Sequence, residues 1–147
     1  MWIEANPGPA GGRVAPAPVD VVAAAFKAFR QQDRTAVLAL VHPDVEFRYV
    51  SGLGLTGETH RGAGAAMDWF DQMDEGDSWL LASPRTIEDM GDGWVLAAGT
   101  MSEKARGGGR FAAIVAWLFR IREGRIQSAI AYPSEGEARQ ALEDSTT

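Results

Sequence analysis

Residues 111–132 read FAAIVAWLFRIREGRIQSAIAY, and this stretch decides the fold. Phe111 to Phe119 is apolar on both alternating faces, the pattern of a central strand covered on two sides. Glu123-Gly124 then breaks the run, and Arg125 to Tyr132 resumes it. A connection that short joins antiparallel neighbours, because a parallel crossover takes about a dozen residues or more. Towards the N-terminus, Gly107-Gly108-Gly109 precedes this stretch and follows a run over Trp94–Lys104. Gly91-Asp92-Gly93 separates that run from Trp79–Met90, where Pro84 marks a bulge or an edge position. Four strands in an antiparallel meander are predicted.

Before Gly76 the periodicity changes to that of helices. Val19, Val22, Ala23, Phe26 and Phe29 share one helix face, with Pro18 and Asp20 suited to its first turn. A second, shorter helix is expected from Asp33 as N-cap, turning Val37, Leu38 and Val41 inward and stopping at Pro43. Val45, Phe47 and Tyr49 then alternate with Glu46 and Arg48 as a strand. After a glycine-rich loop, Ala66, Trp69, Phe70 and Met73 form the apolar stripe of a third helix over 64–75. Ser134 and Glu137 have capping-box spacing and predict a last helix through Leu142. Helices followed by a meander define an α+β domain with the sheet curling around the helices.

Length and composition bound the rest. At 147 residues the chain accommodates one domain, with 46% apolar and 23% charged residues as in an ordinary soluble protein. A net charge of −6 argues against a nucleic-acid partner, which needs a basic face. The absence of cysteine excludes disulfides, thiol nucleophiles and cysteine zinc sites. Met1 to Ala17, rich in Pro, Gly and Ala, reads as a flexible arm without the features of a secretory signal. No run is long enough to span a membrane, and a cytoplasmic location is expected.

The order helix, helix, His42-Pro43-Asp44-Val45-Glu46-Phe47, then Gly57 to Gly62 leading into a Trp-Phe helix, resembles the nuclear transport factor 2-like superfamily. Within it the chain is similar to the SnoaL-like branch, which Trp117 to Ile126 followed by Tyr132 also fits. The resemblance implies a cone-shaped, curved antiparallel sheet wrapped around N-terminal helices, a cystatin-like α+β barrel with one deep apolar cavity. It implies a single SnoaL-like domain over 18–143, an arm over 1–17 and a C-terminal tail over 144–147. Such folds host isomerases, cyclases, epoxide hydrolases, dehydratases and plain binding proteins, so the fold does not settle function.

Carried over by position, the family's catalytic sets are missing. Phe47 stands where ketosteroid isomerase-like members place a carboxylate base, and Trp117 near their second carboxylate. Gly99, Met101 and Ala131 occupy the positions of the epoxide hydrolase-like Arg and two Asp. Ala129 and Ala131 replace the His and Asp of SnoaL-like cyclases. Candidates for proton transfer are then residues this chain has. His60, before the third helix, is an acid or base at a pocket mouth or a turn histidine packed beside the helix. Glu103 shares a strand face with Met101 and is a base near an apolar cavity or a strand-end carboxylate in water. Tyr49 is a hydroxyl donor to a ligand or an aromatic at the core rim. His42, before Pro43, reads as structural.

Other motifs are rejected. Gly52-x-Gly54-x-x-Gly57 is not followed at once by the helix and parallel strand of a dinucleotide site. Gly107-Gly108-Gly109 lacks the Lys and Ser/Thr of a phosphate loop. Asp68, Asp71 and Glu75 share a helix face opposite the apolar stripe and read as solvated, and two histidines make no zinc set. No metal and no cofactor is expected. Small residues at Ala129 and Ala131 opposite Trp117 leave space, so Phe47, Trp69, Met101, Trp117, Ala129 and Ala131 are the expected walls of a hydrophobic ligand site. Two classes stay open: an enzyme performing proton-transfer chemistry on an apolar compound, and a non-catalytic binding or dimerisation protein. Leu96, Ile114, Leu118, Ile126 and Ile130, on the alternate side of the strands, imply a hydrophobic patch and hence a homodimer.

Overall fold

The computed structural model describes residues 16–48, 50–51, 54–55, 59–75, 78–105 and 110–146; the side chains at 50–51, 54–55, 69–70, 72–80, 103–105 and 110–111 are not described. The expectations for Tyr49 and for most of the N-terminal arm lie outside the described residues. Helices α1 (Pro18–Arg30) and α2 (Arg34–Leu40) come first, followed by strands β1 (Val41–Arg48), β2 (Val50–Ser51), β3 (Gly54–Leu55) and β4 (His60–Arg61). Helix α3 (Ala63–Glu75) precedes the meander of β5 (Ser78–Gly91), β6 (Trp94–Ala105), β7 (Arg110–Arg122) and β8 (Arg125–Tyr132), and α4 (Glu135–Thr146) closes the domain. The architecture is α+β.

Local chemistry sets most boundaries. Pro18 occupies the first turn of α1, where its missing N–H costs no helical bond. Asp33 caps α2, its carboxylate accepting the Ala36 N–H at 3.1 Å. Ser134 caps α4 by accepting the Glu137 N–H at 3.1 Å, and that helix continues past the expected Leu142 to Thr146. The hairpin turns at Asp92-Gly93 and Glu123-Gly124 place both residues at positive φ, the twist that matches antiparallel strands. Pro43 does not stop α2. The helix has already ended at Leu40, and Pro43 sits inside β1, where the register with β8 shifts between Val41 and Glu46 and frees a ladder position for it.

The sheet runs in the order β4-β1-β8-β7-β6-β5 and is open, with β4 and β5 at its edges. It is not wholly antiparallel as expected: β1 lies parallel to β8, with Glu46 opposite Ser128 and Phe47 opposite Ala129. Helix α3 and the other meander strands, which lie between β1 and β8 in the chain, allow this pairing, which a short turn could not. Pro84 sits at a register shift of the edge strand β5, opposite Gly99. A Cβ at position 99 would lie 2.1 Å from the Ser83 carbonyl oxygen, so the bulge needs glycine there.

Two clusters fill the two faces. On the inner face Val21, Val22 and Phe26 of α1 pack on Val45, Phe47, Val95, Ala97, Met101, Val115, Trp117, Phe119 and Ile121. On the outer face α4 places Ala138 against Leu96, Ala116 and Leu118. Residues 115–119 are therefore buried in unbroken succession, as expected of a strand covered on both sides, whereas Ala112 and Ile114 at the start of β7 are exposed. The expected outer patch shrinks accordingly. Leu96 and Leu118 lie under α4, Ile126 joins the inner core, Ile130 is half-buried, and Ile114 stays 73% exposed. In α1 Ala23 is exposed while Val21 and Ala28 are buried, and in α2 Leu38 faces solvent.

Candidate functional site

Between the inner face of the sheet and helices α1, α2 and α3 lies a cavity of about 150 Å³. Helix periodicity brings Ala25, Phe26 and Phe29 to one wall, and Val37 and Leu40 of α2 to a second. Strand alternation supplies the floor, where Phe47, Met101, Trp117, Phe119 and Ala129 all point to one side of the sheet. Small side chains stand among large ones in the lining: Ala25, Ala66, Ala82 and Ala129 leave room that longer side chains would fill. Phe26 stands edge-on to Trp117 at 5.0 Å and 73°, and to Phe119 at 5.7 Å and 79°. These edge-to-face contacts fix the rings and hold the wall in shape. A cavity near 150 Å³ with apolar walls has room for a single aromatic ring.

Among the described residues Arg48 is the one charged member of the lining. It borders the cavity at the end of β1. Its guanidinium donates to the Ala131 carbonyl at 3.3 Å and lies 5.0 Å from the centre of the Tyr132 ring.

The residues singled out in the sequence divide as follows. Phe47, Met101, Trp117 and Ala129 meet in the cavity lining. Ala131 is only 1% exposed, paired with Trp117 in the packed core and not part of that lining. Trp69 belongs to α3 and Glu103 to β6, opposite Leu80 and Phe111, and the side chains of both lie outside the described residues. His60 is directly opposite Phe47 in the β1–β4 pair, and its half-buried imidazole stacks on that ring at 5.4 Å and 25°. His42 is structural: its Nδ1 accepts the Asp44 N–H at 3.0 Å in the irregular start of β1. Asp71 is held by an ion pair with Arg34 of α2. Among the described residues no group of three or more His, Asp or Glu is placed to hold a metal ion.

Sequence reasoning missed the walls supplied by α1 and α2, although the α1 periodicity already put Phe26 and Phe29 on the inward face. Phe119 was accessible from alternation with Trp117, and Ala82 from its place opposite Met101. No local signal pointed to Arg48, which alternates away from Phe47.

A SnoaL-like domain matches residues 22–129. The chain belongs to this family. Solved structures show how widely the fold of this SnoaL-like protein is shared. An LEH-like epoxide hydrolase from M. tuberculosis superposes with a TM-score of 0.66 at 22% identity, covering 85% of this chain and 84% of that one. TerC, co-crystallised with polyporic acid, gives 0.63 at 21% identity over 86% of this chain and 99% of its own. An NTF2-like protein from Burkholderia xenovorans LB400 gives 0.61 at 21% identity, covering 84% and 94%. No curated protein matches the chain. At these identities the likeness is one of fold. The position expected to carry the epoxide hydrolase-like Arg is Gly99, where the β5 bulge leaves no room for a side chain. Among the described residues no helix is long and apolar enough to cross a membrane.

Proposed function

We propose that this SnoaL-like domain binds a small, flat, hydrophobic molecule in the cavity between α1, α2 and the inner face of the sheet. The observation that carries this reading is the cavity itself, walled by Phe26, Phe29, Phe47, Trp117 and Phe119 with alanines between them. An aromatic ring entering this space gains edge and face contacts with rings already fixed in place, and water gains no hydrogen bonds there. The co-crystallisation of TerC with polyporic acid supports a pocket of this kind on a shared fold. The test uses nitrobenzene, a neutral planar ring, followed by NMR shift changes of the intact chain. Saturable shifts at Ala82 and Ala129 are expected, and Ala129→Trp, which fills the space, removes them while the protein stays folded. Shifts that persist in Ala129→Trp would overturn the reading.

A second reading, proton-transfer catalysis on the bound compound, is favoured by one contact: His60 stacks on Phe47, and Phe47 lines the cavity. In it His60 acts as acid or base, with Glu103 and Tyr49 as further candidates. His60→Ala then lowers turnover of small epoxides or enolisable ketones by about 10²–10⁴-fold, and leaves nitrobenzene affinity within a few-fold. A homodimer belongs to either reading. Ile114, 73% exposed, and Leu81, 37% exposed, lie on the part of the outer face that α4 leaves open, and light scattering that returns the mass of one chain would exclude it.

A further inference from the structure

The walls of the cavity are held with unequal firmness. Phe26 is buried and stands edge-on between Trp117 and Phe119, and the floor strands are bonded into the six-stranded sheet. Helix α2 is held far less. It has seven residues and none of them is buried, although Val37 and Leu40 line the cavity. A helix that short does not stand on its own hydrogen bonds, so its position follows from what is packed against it. Both of its ends are irregular. Gln32, between α1 and α2, sits at φ 57°, a left-handed conformation that costs a non-glycine residue energy. Beyond Leu40 the chain enters the start of β1, where the register with β8 shifts between Val41 and Glu46. A segment with few buried contacts, set between two such joints, can move while the rest of the core keeps its packing. What crosses from α2 to α3 is the ion pair of Arg34 with Asp71, whose side chains are both exposed. Such a pair resists displacement only weakly.

Resting on the reading of the cavity as a hydrophobic ligand site, we propose that α2 is the yielding wall of that site and that the Arg34–Asp71 pair sets the upper size of the ligand. With α2 in place, the cavity of about 150 Å³ has room for one aromatic ring. A flat, neutral compound of two fused rings fits when α2 swings outward about Gln32 and Val41, which separates Arg34 from Asp71. Its contacts with Phe26, Phe47, Trp117 and Phe119 are kept, because those rings do not depend on α2. The ligand class thus extends to fused two-ring compounds, and two surface charges that do not line the cavity set the discrimination. A ligand moves a wall only by binding better to one of its positions. Affinity for two rings therefore depends on the ion pair, and affinity for one ring does not.

Nitrobenzene and 1-nitronaphthalene provide that comparison, since both are flat and neutral and differ by one ring. Each is titrated into the full chain and followed by NMR shifts at Ala82 and Ala129, with Val37 and Leu40 reporting on α2. Asp71→Asn and Arg34→Gln are each expected to raise 1-nitronaphthalene affinity about two- to fivefold, the range of an exposed ion pair, and to leave nitrobenzene affinity unchanged. The two substitutions together are expected to do no more than either alone, since both break the same pair. A double variant, Arg34→Cys with Asp71→Cys, locks the wall when linked through a short bismaleimide, and the sequence offers that reagent no other thiol. Linking is expected to weaken 1-nitronaphthalene at least tenfold relative to the unlinked double variant, with nitrobenzene still bound. Equal 1-nitronaphthalene affinities in the linked and unlinked forms would overturn the yielding wall and leave the one-ring site standing. A probe ratio unmoved by both single substitutions would overturn the role of the pair, and 1-nitronaphthalene failing to bind any form that binds nitrobenzene would show rigid walls. Binding of neither probe would bring down the hydrophobic site and the yielding wall together.

Discussion

The two faces of the sheet use alanine to opposite ends. On the outer face Ala116 and Ala138 let α4 come close to β7, and Leu96 and Leu118 fill the seam, so small residues there produce tight packing. On the inner face Ala25, Ala66, Ala82 and Ala129 stand among Phe26, Phe47, Trp117 and Phe119, and the same residue type produces empty space. The difference lies in what each alanine faces. Beside a mobile-length partner such as leucine on a neighbouring helix, a small side chain shortens the distance between backbones. Opposite a rigid aromatic ring held edge-on by another ring, it leaves a gap that the backbone cannot close. Volume in the sheet is thus distributed by neighbour, not by composition.

The largest expected effect comes from breaking the sealed face. Leu118→Ala should destabilise the domain by about 2–5 kcal/mol, read as a shift in the urea midpoint at constant slope, with nitrobenzene binding retained by the folded fraction. A loss below about 1 kcal/mol would mean that α4 seals little. Next is a comparison within one strand. Ala129 and Ala131 point to the same side of β8, yet one lines the cavity and the other is buried opposite Trp117 in the β7–β8 pair. Ala131→Trp should cost about 1–3 kcal/mol or more through overpacking, whereas Ala129→Trp should leave the melting temperature nearly unchanged. Equal costs would show that the two alanines face equivalent surroundings. The smallest effect concerns how α4 is held over the outer face: Ser134→Ala should cost about 1 kcal/mol by leaving the Glu137 N–H uncapped, measured by thermal unfolding.

Much of this contrast could be read from residues alone, because its causes are local. Alternation of period two and the turn residues at Asp92-Gly93 and Glu123-Gly124 mark the meander strands, and Ser134 with Glu137 marks the start of α4. Trp117 and Ala129 follow from the same alternation. What escaped depends on residues far apart in the chain. Nothing in the pattern of β1 or β8 states that they lie side by side in parallel, nor that Pro43 can be accommodated by the register shift between Val41 and Glu46. Ala129 and Ala131 are indistinguishable by pattern, and only the arrangement of α1 above the sheet separates them. Arg48 escaped for a related reason. Period two assigns it to the side away from Phe47, and its guanidinium does lie against Tyr132 of the outer cluster, while the residue still borders the cavity at the end of β1.

The parallel pairing of β1 with β8 also fixes the order in which the chain can fold. As synthesis proceeds, β1 emerges early, yet its long neighbour is the last strand made. Until β8 arrives, β1 can form ladder bonds only with the two-residue β4, and Val45 and Phe47 have no floor to complete. The hairpins of the meander close over short loops and can form first, and the long-range pairing that joins the two halves must come later and more slowly. During that interval the edges of β8 and β1 that will meet, and the aromatic face beside them, are open to other chains. Refolding yield is therefore expected to fall with protein concentration for as long as β1 and β8 stay apart.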